Sequence, residues 1–191
     1  MTSNTDFPEF LHKPVDEVAQ LLLGCVLERE LDGQTVRVRI VETESYDQDD
    51  EASHAFGGIK KRNATMFQQA GHLYVYFTYG MHYCCNIVTG DEGYGAGLLL
   101  RAGEPLEGES VLEKRRGMKG VNVTNGPAKL AQALGIDLSM NGHDLRGAPL
   151  RLRKGDLRSG ETVATSPRIG ISRAKNIHRR FYIRGNEYVS R

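Results

Sequence analysis

Glu42 and Glu44 follow the apolar series Val36, Val38 and Ile40 in one uninterrupted run. A strict two-residue period puts Glu42, Glu44 and Tyr46 on the same inward face as that series. Carboxylates placed there are costly unless paired, hydrogen-bonded or partly protonated, and such a setting is where a general base of raised pKa is built. The alternative is that the strand leaves the core at Glu42 and both acids are wet. A second cluster lies at Leu73–Tyr83, where Tyr74, Tyr76, Tyr79 and Tyr83 fall within ten residues. Tyr79 stands beside Gly80 at an expected bend, and an aromatic at a loop tip has the character of a wedge that enters base steps. Tyr74 and Tyr83 are better read as cross-strand partners that stabilise the sheet. The third feature is Asn125-Gly126-Pro127-Ala128-Lys129, a helix start whose free N–H groups and Lys129 suit a phosphate. His54, His72 and His82 with Asp49, Asp50 and Glu51 match no zinc spacing, so no metal is expected. Phosphate-loop, nucleophile-elbow and dinucleotide glycine patterns do not occur, and no cofactor is expected.

The elements that must position these residues can be read from period and punctuation. Pro14 to Leu22 has helical spacing and stops at Gly24. Cys25–Leu31 and Gln34–Tyr46 read as strands joined by Asp32-Gly33, a tight-hairpin signal. Asp47–Phe56 is acidic with a helical turn, and Asn63 caps a brief helix ending near Gly71. Leu73–Thr78 and Met81–Val88 form a second hairpin, followed by a strand at Gly97–Ala102. Helices are expected at Pro105–Arg116 and Pro127–Leu134, and strands at Leu150–Arg153, Arg168–Ser172 and Phe181–Val189. These predict an α+β fold: one domain with a curved, mostly antiparallel sheet, flanking helices and a protruding β-hairpin. Residues 1–13 read as a flexible lead and 14–191 as the domain.

Charge is segregated behind a net of +1. Residues 1–58 carry 4 basic against 13 acidic side chains, and residues 59–191 carry 21 against 11. A polyanion docked on the C-terminal half and mutual neutralisation of the two halves both account for this. Arg173, Lys175, Arg179, Arg180 and Arg184 are the candidates for backbone-charge contacts. Three cysteines without C-x-x-C spacing favour a reducing compartment and a role as buried filler. With no signal-peptide pattern and no apolar run of membrane-spanning length, a cytoplasmic, DNA-associated protein is expected, neither secreted nor in a membrane.

Val41-Glu42-Thr43-Glu44-Ser45-Tyr46, Asp50-Glu51-Ala52-Ser53-His54, Arg62-Asn63 and Gly71-His72-Leu73-Tyr74-Val75-Tyr76 resemble the alkyladenine (3-methyladenine) DNA glycosylase family. Tyr79-Gly80-Met81, Cys85-Asn86-Ile87, Leu98-Leu99-Leu100-Arg101-Ala102, Gly126-Pro127-Ala128-Lys129-Leu130 and Phe181-Tyr182-Ile183-Arg184-Gly185 continue the match in the same order. The resemblance implies hydrolysis of the N-glycosidic bond of alkylated or deaminated purines in duplex DNA, after the base is swung out of the helix. It implies Glu44 as the base that activates water, and Tyr46, His54 and Tyr76 as the walls of the base pocket. Asn86 would screen the guanine amine, and Arg101 would contact the nucleotide near the reaction centre. Tyr79, flanked by Met81, would fill the vacated stack, while Gly126 and Lys129 would meet the DNA backbone. A monofunctional, monomeric enzyme is expected, since Lys60 and Lys61 are consecutive and read as solvated; the alternative is a damaged-DNA binding module without turnover. A relative that binds RNA through the same sheet and basic surface is a third reading. The stretch Gly57–Arg62 is shorter than the usual family form, and Cys84 and Met118–Thr124 also depart from it.

Overall fold

The computed structural model describes residues 6–190. Its elements in chain order are α1 (Val15–Leu21), β1 (Val26–Leu31), β2 (Gln34–Asp47), β3 (Leu73–Thr78), β4 (His82–Val88), β5 (Ala96–Glu107), α2 (Glu109–Arg116), α3 (Pro127–Ala133), β6 (Leu150–Arg153), β7 (Val163–Ser166) and β8 (Arg180–Ile183). The strands pair antiparallel in the order β3-β4-β5-β2-β1-β6, with β8 also on β2 and β7 outside β8. This is the expected α+β fold with a curled sheet. Its main core runs from Val18, Ala19 and Leu22 of α1 through Val36, Val38 and Ile40 to Leu98, Leu100 and Leu130.

The central strand β2 decides the rest. Residues 34–39 pair with β1, while Glu42, Thr43 and Glu44 pair with β8 on that same edge. The change of partner coincides with a bulge: Ile40 faces Gly103 and Glu42 faces Ala102, leaving Val41 as the extra residue. A compensating slip on β5 leaves Arg101 unpaired between Ala102 and Leu100. The simple alternation expected from sequence is therefore reversed beyond Ile40. Val41 joins the core, Thr43 donates to the Ala19 carbonyl of α1, and Glu42, Glu44 and Tyr46 turn to the opposite face. Both acids are fully buried all the same, so the strand does not leave the interior.

Four other expectations need correction. Strand β5 runs on past Ala102 to Glu107, and the helix begins only at Glu109. Pro105 fits the strand because it sits at a register irregularity opposite Val38, and Gly103 is needed where a Cβ would come 2.2 Å from Val38 Cγ1. Arg168–Ser172 is irregular, the strand lying earlier at Val163–Ser166. The last strand covers only Arg180–Ile183, after which the chain turns back beneath β2. In the lead, residues 1–5 are outside the described residues, but Glu9–His12 form a 3-10 turn, and Phe7 and Leu11 enter the core. Cys25, Cys84 and Cys85 are buried and unbridged.

Candidate active site

A cavity of about 570 Å³ opens beside the β3–β4 hairpin. Most of its walls come from Tyr46 at the end of β2, the 51–54 turn, the paired strands β3 and β4, Leu99 and Arg101 of β5, and residues 169–173. The turn segment is a succession of i→i+3 bonds, Asp50 to Asp47, Ser53 to Asp50 and Phe56 to Ser53. Asn63 secures it by donating to the His54 carbonyl at 2.7 Å, rather than capping the 3-10 turn Ala64–Phe67. His54 Nδ1 lies 3.0 Å from the Tyr74 hydroxyl, and its ring meets Tyr76 edge-on at 4.5 Å. Burial first, and the Arg62 charge second, lower the His54 pKa and keep the imidazole neutral. Asn86, held by a bond to the Tyr74 carbonyl, lines the same wall.

Glu44 lies under the floor. Its side chain has no exposed area and does not itself line the cavity. Tyr46 donates its hydroxyl to Oε2 at 2.7 Å, and the Ile169 amide donates to Oε1 at 2.8 Å. Arg101 Nη1 is 3.2 Å from Oε1. All three partners line the cavity. A carboxylate has about four acceptor positions, so one position on Oε2 remains open. Burial, then the adjacent Glu44 charge, raise the Tyr46 pKa, so the phenol stays a donor. The Arg101 guanidinium also bonds Glu42 at 2.9 Å and the Ser190 hydroxyl at 3.1 Å. Burial alone would depress its pKa, and the charges of Glu44 and Glu42 outweigh that.

Sequence reasoning missed the residue that joins these walls. Arg168, fully buried, makes a two-pronged bond to Asp50, donates to the Ser45 carbonyl at 2.9 Å and covers the Tyr46 ring at 4.5 Å. It stood in the sequence only as the first residue of an expected strand. Burial opposes ionisation of Asp50, but hydrogen bonds from Arg168 and the Ala52 amide bring its pKa below the usual carboxylate value. Leu99, Met66 and Cys84 complete the lining; nothing in the run Leu98-Leu99-Leu100 distinguishes the cavity-facing member. Mutual neutralisation accounts for part of the charge segregation. Arg179 pairs with Asp16, Asp47 and Asp50, and Arg180 with Glu42, whereas Arg173, Lys175 and Arg184 are exposed.

The hairpin projects from the cavity rim. Tyr79 (φ 51°) and Gly80 (φ 68°) are both left-handed, and the Met81 amide closes the turn onto the Thr78 carbonyl. Tyr79 is 81% exposed and Met81 69%. Phe77 and Tyr83 pair across the strands with centroids 5.1 Å apart, as expected for Tyr83, whereas Tyr74 packs on Tyr76 and His54 in the pocket. At the far rim Gly126 precedes α3, Pro127 lines the cavity, and Lys129 is tied to Asn125 at 2.7 Å. Among the described residues there is no cluster of His, Cys, Asp or Glu suited to a metal, and no helix long and apolar enough to cross a membrane.

The sequence profile described as methylpurine-DNA glycosylase matches residues 9–187. A protein of Carboxydothermus hydrogenoformans named "Putative 3-methyladenine DNA glycosylase" is 47% identical over 185 residues, covering 96% of this chain and 97% of its own length. Proteins carrying the same name from Methanoculleus marisnigri and Chlorobaculum parvum are 43% and 44% identical, covering 95% of this chain and 96% and 88% of their own lengths.

Proposed function

This chain belongs to the methylpurine-DNA glycosylase family, and from that premise we propose that it removes damaged purines from duplex DNA by base flipping and a Glu44-activated water. The observation that carries the reading is the setting of Glu44: a buried carboxylate hydrogen-bonded by Tyr46 and the Ile169 amide and ion-paired with Arg101, partners that all line an aromatic cavity, with one acceptor position on Oε2 left open by the protein. A purine turned out of the stack enters between Tyr46 and the His54–Tyr76 wall. A cationic alkylated base gains about 0.5–2 kcal/mol there from the ring faces. Water held by Glu44 attacks C1′, Glu44 takes its proton, and the C1′–N bond electrons leave with the base. The positive ring of an alkylated purine accepts those electrons, so no covalent enzyme intermediate is needed.

A monofunctional reaction is supported by the cavity lining, which contains no lysine to act as a nucleophilic amine. Tyr79 and Met81 project beside the cavity as the wedge, and Asn86 in the wall screens the guanine amine. Gly126, Lys129 and the exposed Arg173 face the DNA backbone. The test is incubation with duplexes carrying a single 3-methyladenine, 7-methylguanine, hypoxanthine or ethenoadenine. The expected outcome is free base together with an abasic strand that stays intact until alkali is added. Retention of every base, with tight lesion binding, would leave a damage-binding module instead.

A further inference from the structure

Glu42 and Glu44 are both fully buried, but their surroundings differ in one respect. Glu42 accepts four hydrogen bonds, from Arg101 Nε at 2.9 Å, Arg180 Nε at 2.6 Å, the Ser190 amide at 2.6 Å and the Ser190 hydroxyl at 2.8 Å. Three of these bonds fall on Oε1 and one on Oε2, and of the donors only Arg101 also lines the cavity. The consequence falls on Arg101. One guanidinium is divided between two anions, its Nε on Glu42 and its Nη1 on Glu44.

We propose that Glu42 is a positioning residue for base excision: it holds Arg101 from behind and limits the positive charge that reaches Glu44, the group that takes the proton from water. This rests on Glu44 being the general base. A guanidinium beside a carboxylate with nothing to counter it lowers that acid's proton affinity. The groups around Glu44 define the balance. They are Tyr46 on its own strand, Tyr76 on β3, Cys84 on β4, Arg101 on β5, Arg180 on β8, and Arg168 with the Ile169 amide. Burial keeps Tyr46, Tyr76 and Cys84 protonated. Asp50 neutralises Arg168. Glu42 is thus the anion that offsets Arg101 and Arg180.

The experiment is single-turnover excision across a pH series, using a duplex with one 7-methylguanine, whose departure needs no added proton. Glu42→Gln is expected to move the acid-side inflection down by about one pH unit and to cut the plateau rate about three- to tenfold, as a weaker base would. Arg180→Gln removes a cation from the opposite side of Glu42 and is expected to move the inflection up. Thermal unfolding of each variant checks that it folds, and Arg180→Gln carries the test if Glu42→Gln does not. Wild-type inflections in the folded variants, with Glu44→Gln inactive, would overturn the role of Glu42 alone. Full activity in Glu44→Gln would instead remove the general base on which both readings stand.

Discussion

Glu44 beneath the cavity floor is fully buried and held by two hydrogen bonds and an ion pair, whereas Tyr79 at the hairpin tip is 81% exposed on a left-handed backbone. The floor meets its desolvation cost during folding, through a network in which Arg101, Arg168, Glu42 and Asp50 are all at most 6% exposed in their side chains. The tip keeps apolar surface in water and buries it only against a partner. A group that must hold a water in one geometry works best when its partners are already ordered before DNA arrives. A group that must enter a stack has to be free until the stack opens. The same chain therefore spends stability in one region and exposure in the other for a single reaction.

The sharpest test of the floor is Glu44→Gln. Base release should fall about 10²- to 10⁴-fold, the usual worth of a general base, while lesion affinity is kept because shape is kept. Next is Arg168→Ala, which takes the two-pronged partner from the buried Asp50 carboxylate and leaves it the more distant Arg179 and the Ala52 amide. Breaking such a pair costs about 3–5 kcal/mol, read as a lower midpoint in urea. A midpoint unchanged from wild type would mean that Arg168 does not hold the floor.

At the tip the two quantities should separate. Tyr79→Ala is expected to leave the unfolding midpoint near wild type and to weaken lesion binding by about 1–3 kcal/mol, the size of one aromatic–base stack. Tyr79→Gly goes further, since relieving a left-handed non-glycine residue returns about 1 kcal/mol; it should be more stable than wild type and bind worse. Equal losses of stability and binding in both variants would erase the contrast between the regions. The smallest effect concerns His54. Its folded pKa is depressed from 6.5 by burial and then by Arg62, so the unfolded chain takes up the proton first. Stability from this group is complete above pH 6.5 and is lost as pH falls below it. A His54→Gln variant should therefore show a shallower decline in melting temperature between pH 7.5 and 5 than wild type.

Much of this arrangement was legible in the residues. The Asp32-Gly33 and Tyr79-Gly80 turns, strand β6 and helix α3 follow from turn chemistry and period, and the tip's exposure follows from its turn. The burial of Glu42 and Glu44 was also legible, but for an incomplete reason, because alternation cannot reveal the bulge at Val41 that turns both acids away from the apolar core. Continuation of β5 through Gly103 and Pro105 was hidden because proline signals a break unless a register slip excuses its missing donor. The segment Arg168–Ser172 read as a strand, yet its use is as a wall carrying the Ile169 amide to Glu44.

What the sequence alone determined is the inventory: which acids, aromatics and turns exist, and in what order a family match aligns them. Tertiary structure decided which of two buried carboxylates has all its partners in the cavity lining. That difference comes from partners more than 100 residues away, Ile169 for Glu44 and Arg180 with Ser190 for Glu42. Local propensity fixes only the residues near a given position, whereas the competition for a carboxylate's lone pairs is settled by whichever distant donors the fold brings within reach.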